Sequence, residues 1–114
     1  MVSISHAAFT TWPLARKGSV LAIVFPPRFF VTGTDTGVGK TYVAALLAAG
    51  MGYAYWKPVQ SGVDTDTEWV RRAAGLPIGR LLPEAYSLRE PLSPHEAARR
   101  EGVAIDMTRL ALPD

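Results

Sequence analysis

The sequence contains no cysteine, which excludes disulfide cross-links, thiol nucleophiles and thiolate metal sites. Its two histidines, His6 and His95, are too few for a histidine metal cluster. No apolar run approaches the ~20 residues of a membrane-spanning helix, so no membrane partner is expected. Charge is sparse, at 19% of 114 residues, and nearly balanced at +2. The excess sits at the N-terminus: residues 1–30 carry Arg16, Lys17 and Arg28 with no acid, whereas residues 31–114 carry nine bases against ten acids. The basic excess therefore belongs to an N-terminal arm and does not point to nucleic acid. With 48% hydrophobic residues the composition is globular, and the length suits one small domain with a modest core.

What is present is organised around GTDTGVGKT, Gly33 to Thr41, which follows Phe29-Phe30-Val31 and leads into Tyr42-Val43-Ala44-Ala45-Leu46-Leu47. Strand, glycine-rich turn, Lys-Thr and helix form the layout of a phosphate-binding loop. Glycines let the backbone turn tightly and bring N–H groups to an anion. The helix N-terminus adds unpaired donors and partial positive charge. Lys40 is expected to reach the outer phosphates and the Thr41 hydroxyl to sit on Mg²⁺. The pattern departs by one position from the usual spacing, which puts a glycine where Thr34 stands. The plain alternative is an ordinary Gly/Thr-rich turn, but Gly-Lys-Thr at a helix start serves no special structural purpose.

The helix is expected over Lys40–Ala49, stopped by Gly50-Met51-Gly52, with Val43, Leu46 and Leu47 facing a sheet. Tyr53–Trp56 reads as a strand closed by Lys57-Pro58, giving a parallel βαβ unit with a right-handed crossover. The phosphate loop and Lys57–Gly62 then share the carboxyl edge of that sheet, where sites of such folds lie. A second helix runs to Gly75, with Thr65 and Glu68 forming a capping box. Asp66 begins it, and two readings stand: a carboxylate suiting the helix dipole, or a Mg²⁺ ligand, with Asp64 as the competing candidate. Residues 76–92 look irregular, anchored by Leu81-Leu82 and Tyr86. Ser93, Pro94 and Glu96 open a third helix, again with a capping box, that ends at Gly102. His95 reads as a substrate contact or as a plain surface histidine. Asp106 caps a last short helix, Met107–Leu112. Residues 1–27 read as a poorly ordered arm or a mis-assigned start. Ser19–Phe25 within them could instead be a strand or the apolar part of a signal peptide, although no small-residue cleavage site follows.

Taken in order, FFVTGTDTGVGKT, YWKPVQSG, DTDTEWVRRAAG and PLSPHEAA resemble dethiobiotin synthetase, the ATP-dependent enzyme of biotin biosynthesis, over about residues 28–112. The resemblance implies the N-terminal half of an α/β fold, a P-loop type parallel sheet with flanking helices, in a cytoplasmic homodimer. It implies that Gly37, Val38, Gly39, Lys40, Thr41 and Tyr42 hold the phosphates of ATP. It makes Thr41 and Asp66 the Mg²⁺ ligands, Lys57 and Lys40 the catalytic lysines, and Thr36 and Ser61 the contacts to substrate. Ser93-Pro94-His95 matches a segment near the dimer interface and the substrate tail.

The implied reaction closes a cyclic urea from 7,8-diaminononanoate, CO₂ and ATP. One amine takes up CO₂ as a carbamate, the carbamate oxygen attacks the γ-phosphate, and the second amine attacks the activated carbon and expels phosphate. The protein must supply positive charge where anionic oxygens gather, and must hold two reacting ends together. Family members are roughly twice as long. Their next strand, with a VEGAGG-type segment carrying a metal-binding glutamate, and their adenine-binding part have no counterpart in these residues. The chain alone is thus expected to bind ATP weakly and not to turn over. Two alternatives remain: a related P-loop amide-forming ligase, against which KPVQSG and SPH together argue, and a non-enzymatic remnant that only dimerises.

Overall fold

The computed structural model describes residues 2–5, 26, 28–35, 37–63 and 65–112. Sequence expectations for Ser19–Phe25, His6, Thr36 and Asp64 fall outside the described residues.

One sheet has the order β2 (Arg28–Val31), β1 (Val2–Ser5), β3 (Ala54–Trp56) and β5 (Leu81–Leu82). β1 is antiparallel to both neighbours, with Val2 opposite Val31 and Ser3 opposite Trp56. β2 and β3 therefore run in the same direction, as the βαβ reading requires, but they are not adjacent. The four residues of β1, from the N-terminal arm, fill the gap between them. A connection of one helix's length sets strand direction; it does not dictate which strand lies next door.

β3 continues past Lys57-Pro58 into β4 (Val59–Ser61), and β5 continues into β6 (Tyr86–Leu88). β3 pairs β5 and β4 pairs β6, both parallel. Between Trp56↔Leu82 and Val59↔Tyr86, two residues on one side face three on the other. The extra residue is absorbed as a bulge: Ala85 and Tyr86 both donate their N–H to the Pro58 carbonyl, at 2.8 and 3.0 Å. Proline at the break costs no ladder donor on either strand, since Pro58 and Pro83 have none to give. The Pro83 carbonyl instead accepts from Trp56 Nε1 at 2.9 Å. Residues 76–92, expected to be irregular, thus supply two short strands.

α1 (Lys40–Met51) runs through Gly50 and stops at Gly52, whose φ of 72° is left-handed. Its buried face is Ala44, Ala45 and Ala48, a correction to the expected Val43-Leu46-Leu47 face. Val43 and Leu46 are exposed, and only Leu47 packs against the core. The helix is apolar nearly all round, so its period does not choose a face. The alanine side lets the helix backbone approach Tyr53 and Tyr55 closely, and both are fully buried in the same cluster with Val70 and Leu76. Phe29 meets Tyr53 edge-on at 5.1 Å.

α2 (Asp66–Ala74) and α3 (Pro94–Glu101) start and stop where the sequence signals place them. The two capping boxes, however, do not form: Thr65 and Ser93 make no side-chain cap bond. Glu68 is instead held by Arg71 and Arg72, and Glu96 by Arg99 and Arg100. An arginine three or four residues on is a charged donor within reach of the same carboxylate, and it outcompetes a neutral backbone N–H. α3 lies on β4 and β6 in a second small core of Leu88, Ala97 and Ala98. Asp106 caps the 3₁₀ turn Met107–Leu110 by accepting from the Thr108 N–H at 2.9 Å.

Candidate functional site

The phosphate-loop segment brings the N-terminus of α1 to the end of β2. Gly37 and Gly39 take φ of 74° and 98°, a region that costs residues with a Cβ and that glycine enters freely. Gly33 acts differently. A Cβ there would lie 2.7 Å from Val38 Cγ2 and 3.1 Å from Lys40 Cγ, so its bare α-carbon lets Val38 and the Lys40 stem fold over the start of the loop. The glycine one position off the usual pattern is thus a packing requirement of this loop. Lys40 Nζ donates to the Asp35 carbonyl, which curls the lysine across the loop it belongs to.

A cleft of about 320 Å³ opens beside the loop, lined by Gly37, Gly39, Lys40, Thr41, Tyr42, Asp66 and Trp69. Asp66 arrives from the first turn of α2, far beyond the loop in the sequence. Lys57, at the carboxyl end of β3, makes an ion pair with the Asp66 carboxylate. The lysine side chain is 15% exposed and the carboxylate 35%. Six of the expected residues, Gly37, Gly39, Lys40, Thr41, Tyr42 and Asp66, therefore line one opening, and Lys57 is joined to it through its ion pair with Asp66.

Val38 does not line the cleft and is largely exposed. Ser61 closes β4 with its Oγ buried and without a hydrogen-bond partner among the described residues. An orphaned buried hydroxyl costs free energy unless something satisfies it. Thr36 and Asp64 lie outside the described residues. His95 is exposed at the start of α3.

Among the side chains lining the cleft, Thr41, Tyr42 and Asp66 carry oxygen, and the Thr41 hydroxyl and the Asp66 carboxylate are the ones suited to a hard cation. No cluster of three or more His, Cys, Asp or Glu able to hold a metal occurs among the described residues. A hydroxyl and one carboxylate suit a hard cation that keeps several waters and takes phosphate oxygens as further ligands, which is the habit of Mg²⁺. They would not make a closed structural metal cage.

Three features went unread in the sequence. Trp69, one turn beyond Asp66, walls the cleft and tilts 47° against Tyr42 with centroids 6.2 Å apart. Its only sequence signal is its place three residues after Asp66 on one helix face. Glu84 sits in the bulge and accepts from the Thr67 hydroxyl at 2.6 Å. Tyr55 is fully buried with its hydroxyl unpartnered among the described residues. Burial first, then the carboxylates of Asp66 and Glu84, push its phenol above the usual range, so it stays neutral.

A family model described as an AAA domain matches residues 27–114. The chain is 56% identical over 89 residues to an ATP-dependent dethiobiotin synthetase of Rhodopseudomonas palustris (strain BisA53), covering 76% of this chain and 42% of that protein. It is 52% identical over 88 residues to the enzyme of that name from Novosphingobium aromaticivorans, covering 75% and 43%. It is 58% identical over 88 residues to that of Sphingopyxis alaskensis, covering 75% and 42%. The chain spans about two fifths of the length of these relatives. No solved structure matches it.

Proposed function

The chain belongs to the AAA domain family, and on that footing we propose that it carries the phosphate-binding and lysine-bearing part of an ATP-dependent dethiobiotin synthetase. The observation that carries the reading is the meeting of Lys40, Thr41 and the Lys57–Asp66 pair at one cleft. These residues come from three elements, and an ordinary strand-to-helix turn has no reason to gather them. The relatives' names supply the reaction class and the nucleotide.

In this reading Gly37 to Tyr42 cradle the phosphates of ATP with backbone N–H groups at the α1 N-terminus. Lys40 leaves the Asp35 carbonyl for the outer phosphates, a charge-assisted contact in place of a neutral one. Thr41 and Asp66 would hold Mg²⁺, which would supply positive charge against the phosphates. Lys57, paired with Asp66 in the chain, would set its ammonium against the carbamate and the transferring phosphoryl group. Ser61 and Thr36 contact 7,8-diaminononanoate, whose amines give the buried Ser61 hydroxyl the partner that it lacks among the described residues. CO₂ or bicarbonate is the one-carbon donor. A homodimer in the cytoplasm completes the proposal.

The test is a chimera in which residues 28–112 replace the matching segment of the Rhodopseudomonas palustris relative. It should release ADP in a manner dependent on both the diamine and bicarbonate, and Lys57→Ala should lower that rate by at least ~100-fold. The 114-residue chain assayed alone should show no turnover. Diamine-independent ADP release by the folded chimera, or a rate indifferent to Lys57→Ala, would overturn the assignment. Release driven only by an amide-forming acceptor would move the chain to that class of ligase.

A further inference from the structure

Gln60 is the polar side chain buried to the level of the core, at 2% exposure, among the described residues. A buried amide is retained at a cost unless both ends are bonded. Its Nε2 donates to the Ser61 carbonyl at 2.9 Å and, more weakly, to the Gly62 carbonyl at 3.5 Å. Its Oε1 accepts the N–H of Asp66 at 3.4 Å. The partners fix the orientation of the amide, because a carbonyl can only accept and an N–H can only donate.

The Asp66 N–H is one of the donors at the start of α2 that no helical carbonyl can satisfy. Thr65, in the capping position, leaves its own side chain out of the cap. Gln60 provides the cap from a different element, across the turn between β4 and α2. Lys57 holds the carboxylate of the same aspartate. One short segment, Lys57 to Gly62, therefore grips Asp66 twice, at its backbone through Gln60 and at its side chain through Lys57.

We infer that Gln60 is a positioning residue for the metal–nucleotide site: it fixes the first turn of α2 against β4, and so fixes where the Asp66 carboxylate stands relative to Thr41 and the phosphate loop. Gln60 is not among the residues that line the cleft. Loss of its amide frees α2 to shift, and Asp66 with it, while the glycine loop and Lys40 keep their geometry. This rests on the reading of Asp66 as a Mg²⁺ ligand given above.

The experiment is ATP binding by calorimetry, with and without Mg²⁺, to the chimera carrying residues 28–112, as wild type, Gln60→Leu and Gln60→Asn. Leucine keeps the volume and removes every hydrogen bond. Asparagine keeps the chemistry but is one methylene too short to span the gap, and it covers the case in which the leucine variant does not fold. The wild type should bind ATP more tightly with Mg²⁺ than without. Both variants should lose about tenfold of that enhancement, as an outer support of a metal ligand does, with metal-free binding unchanged. A merely structural fault would weaken both conditions alike and would overturn the inference, as would a folded variant that keeps the full enhancement. If the wild type gains nothing from Mg²⁺, the metal reading of Asp66 fails first and takes this inference with it. If the wild type gains and the variants match it, only the role of Gln60 fails.

Discussion

At the scale of single residues, the loop is built on steric permission as much as on charge. Gly37 and Gly39 supply backbone angles; Gly33 supplies room for Val38 and Lys40. Gly33→Ala should therefore displace the valine, which is β-branched and stiff about χ1, and push the Lys40 stem out of place. Tripolyphosphate affinity should fall by about fivefold to tenfold, equivalent to about 1 kcal/mol. The double variant with Val38→Ala should recover most of the loss, because the blocking methyls are gone. Calorimetry on the four proteins of that cycle checks it, and a double variant no better than the single one would rule out the steric account.

At the scale of elements, α2 and α3 share a device. Each carries a glutamate in its first turn that is held by arginines three and four residues on. The hydrogen bonds from Arg71 and then Arg72 lower the Glu68 carboxyl to about 2 from 4.5. The folded value is depressed, so the stabilisation is present above the unfolded value of about 4.5. It is lost as pH falls through the folded value near 2. Both arginines and the glutamate are substantially exposed, so the effect is small and screened by salt. Between wild type and Glu68→Gln, the difference in thermal midpoint should be present at pH 6, shrink from about pH 4.5 downwards and vanish near pH 2. It should also shrink in 1 M salt. A difference that persists unchanged to pH 2 would mean that the charge on Glu68 does not matter to α2.

At the scale of the whole molecule, the sheet depends on its N-terminal strand. β1 is paired on both sides and separates β2 from β3. Removing residues 1–5 strips the ladder partners from both neighbours at once, and the strand that leads into the phosphate loop loses its attachment to the strand that ends at Lys57. The expected loss is on the order of 3–5 kcal/mol, comparable to the whole stability of a small domain. Urea unfolding of the shortened chain should show a midpoint near zero denaturant, and an unchanged midpoint would mean that β1 is dispensable.

The features legible in the amino-acid order alone are local ones. The glycine loop, the start of α1 at Lys40, the stops at Gly75 and Gly102 and the end of a strand at Lys57 follow from neighbours within a few residues: a missing Cβ, a cap position, a proline. Lys40 and Thr41 are candidates from the loop pattern itself; the topology puts Lys57 at the same sheet edge, but its role, and that of Asp66 as a metal ligand, are what the family resemblance implies. Everything that required a choice among distant partners was settled by packing. α1 is apolar on most sides, so only the fit of Tyr53 and Tyr55 against it selected the alanine face. Glu68 and Glu96 each had two possible donors, and the arginines prevailed over the caps. The place of β1 in the sheet and the bulge opposite Pro58 are set by pairings between segments far apart in the chain, which no local pattern encodes. The pairing of Lys57 with Asp66, and the buried amide of Gln60 that steadies it, arose in the same way: both follow from how the segment after β3 folds back against the first turn of α2.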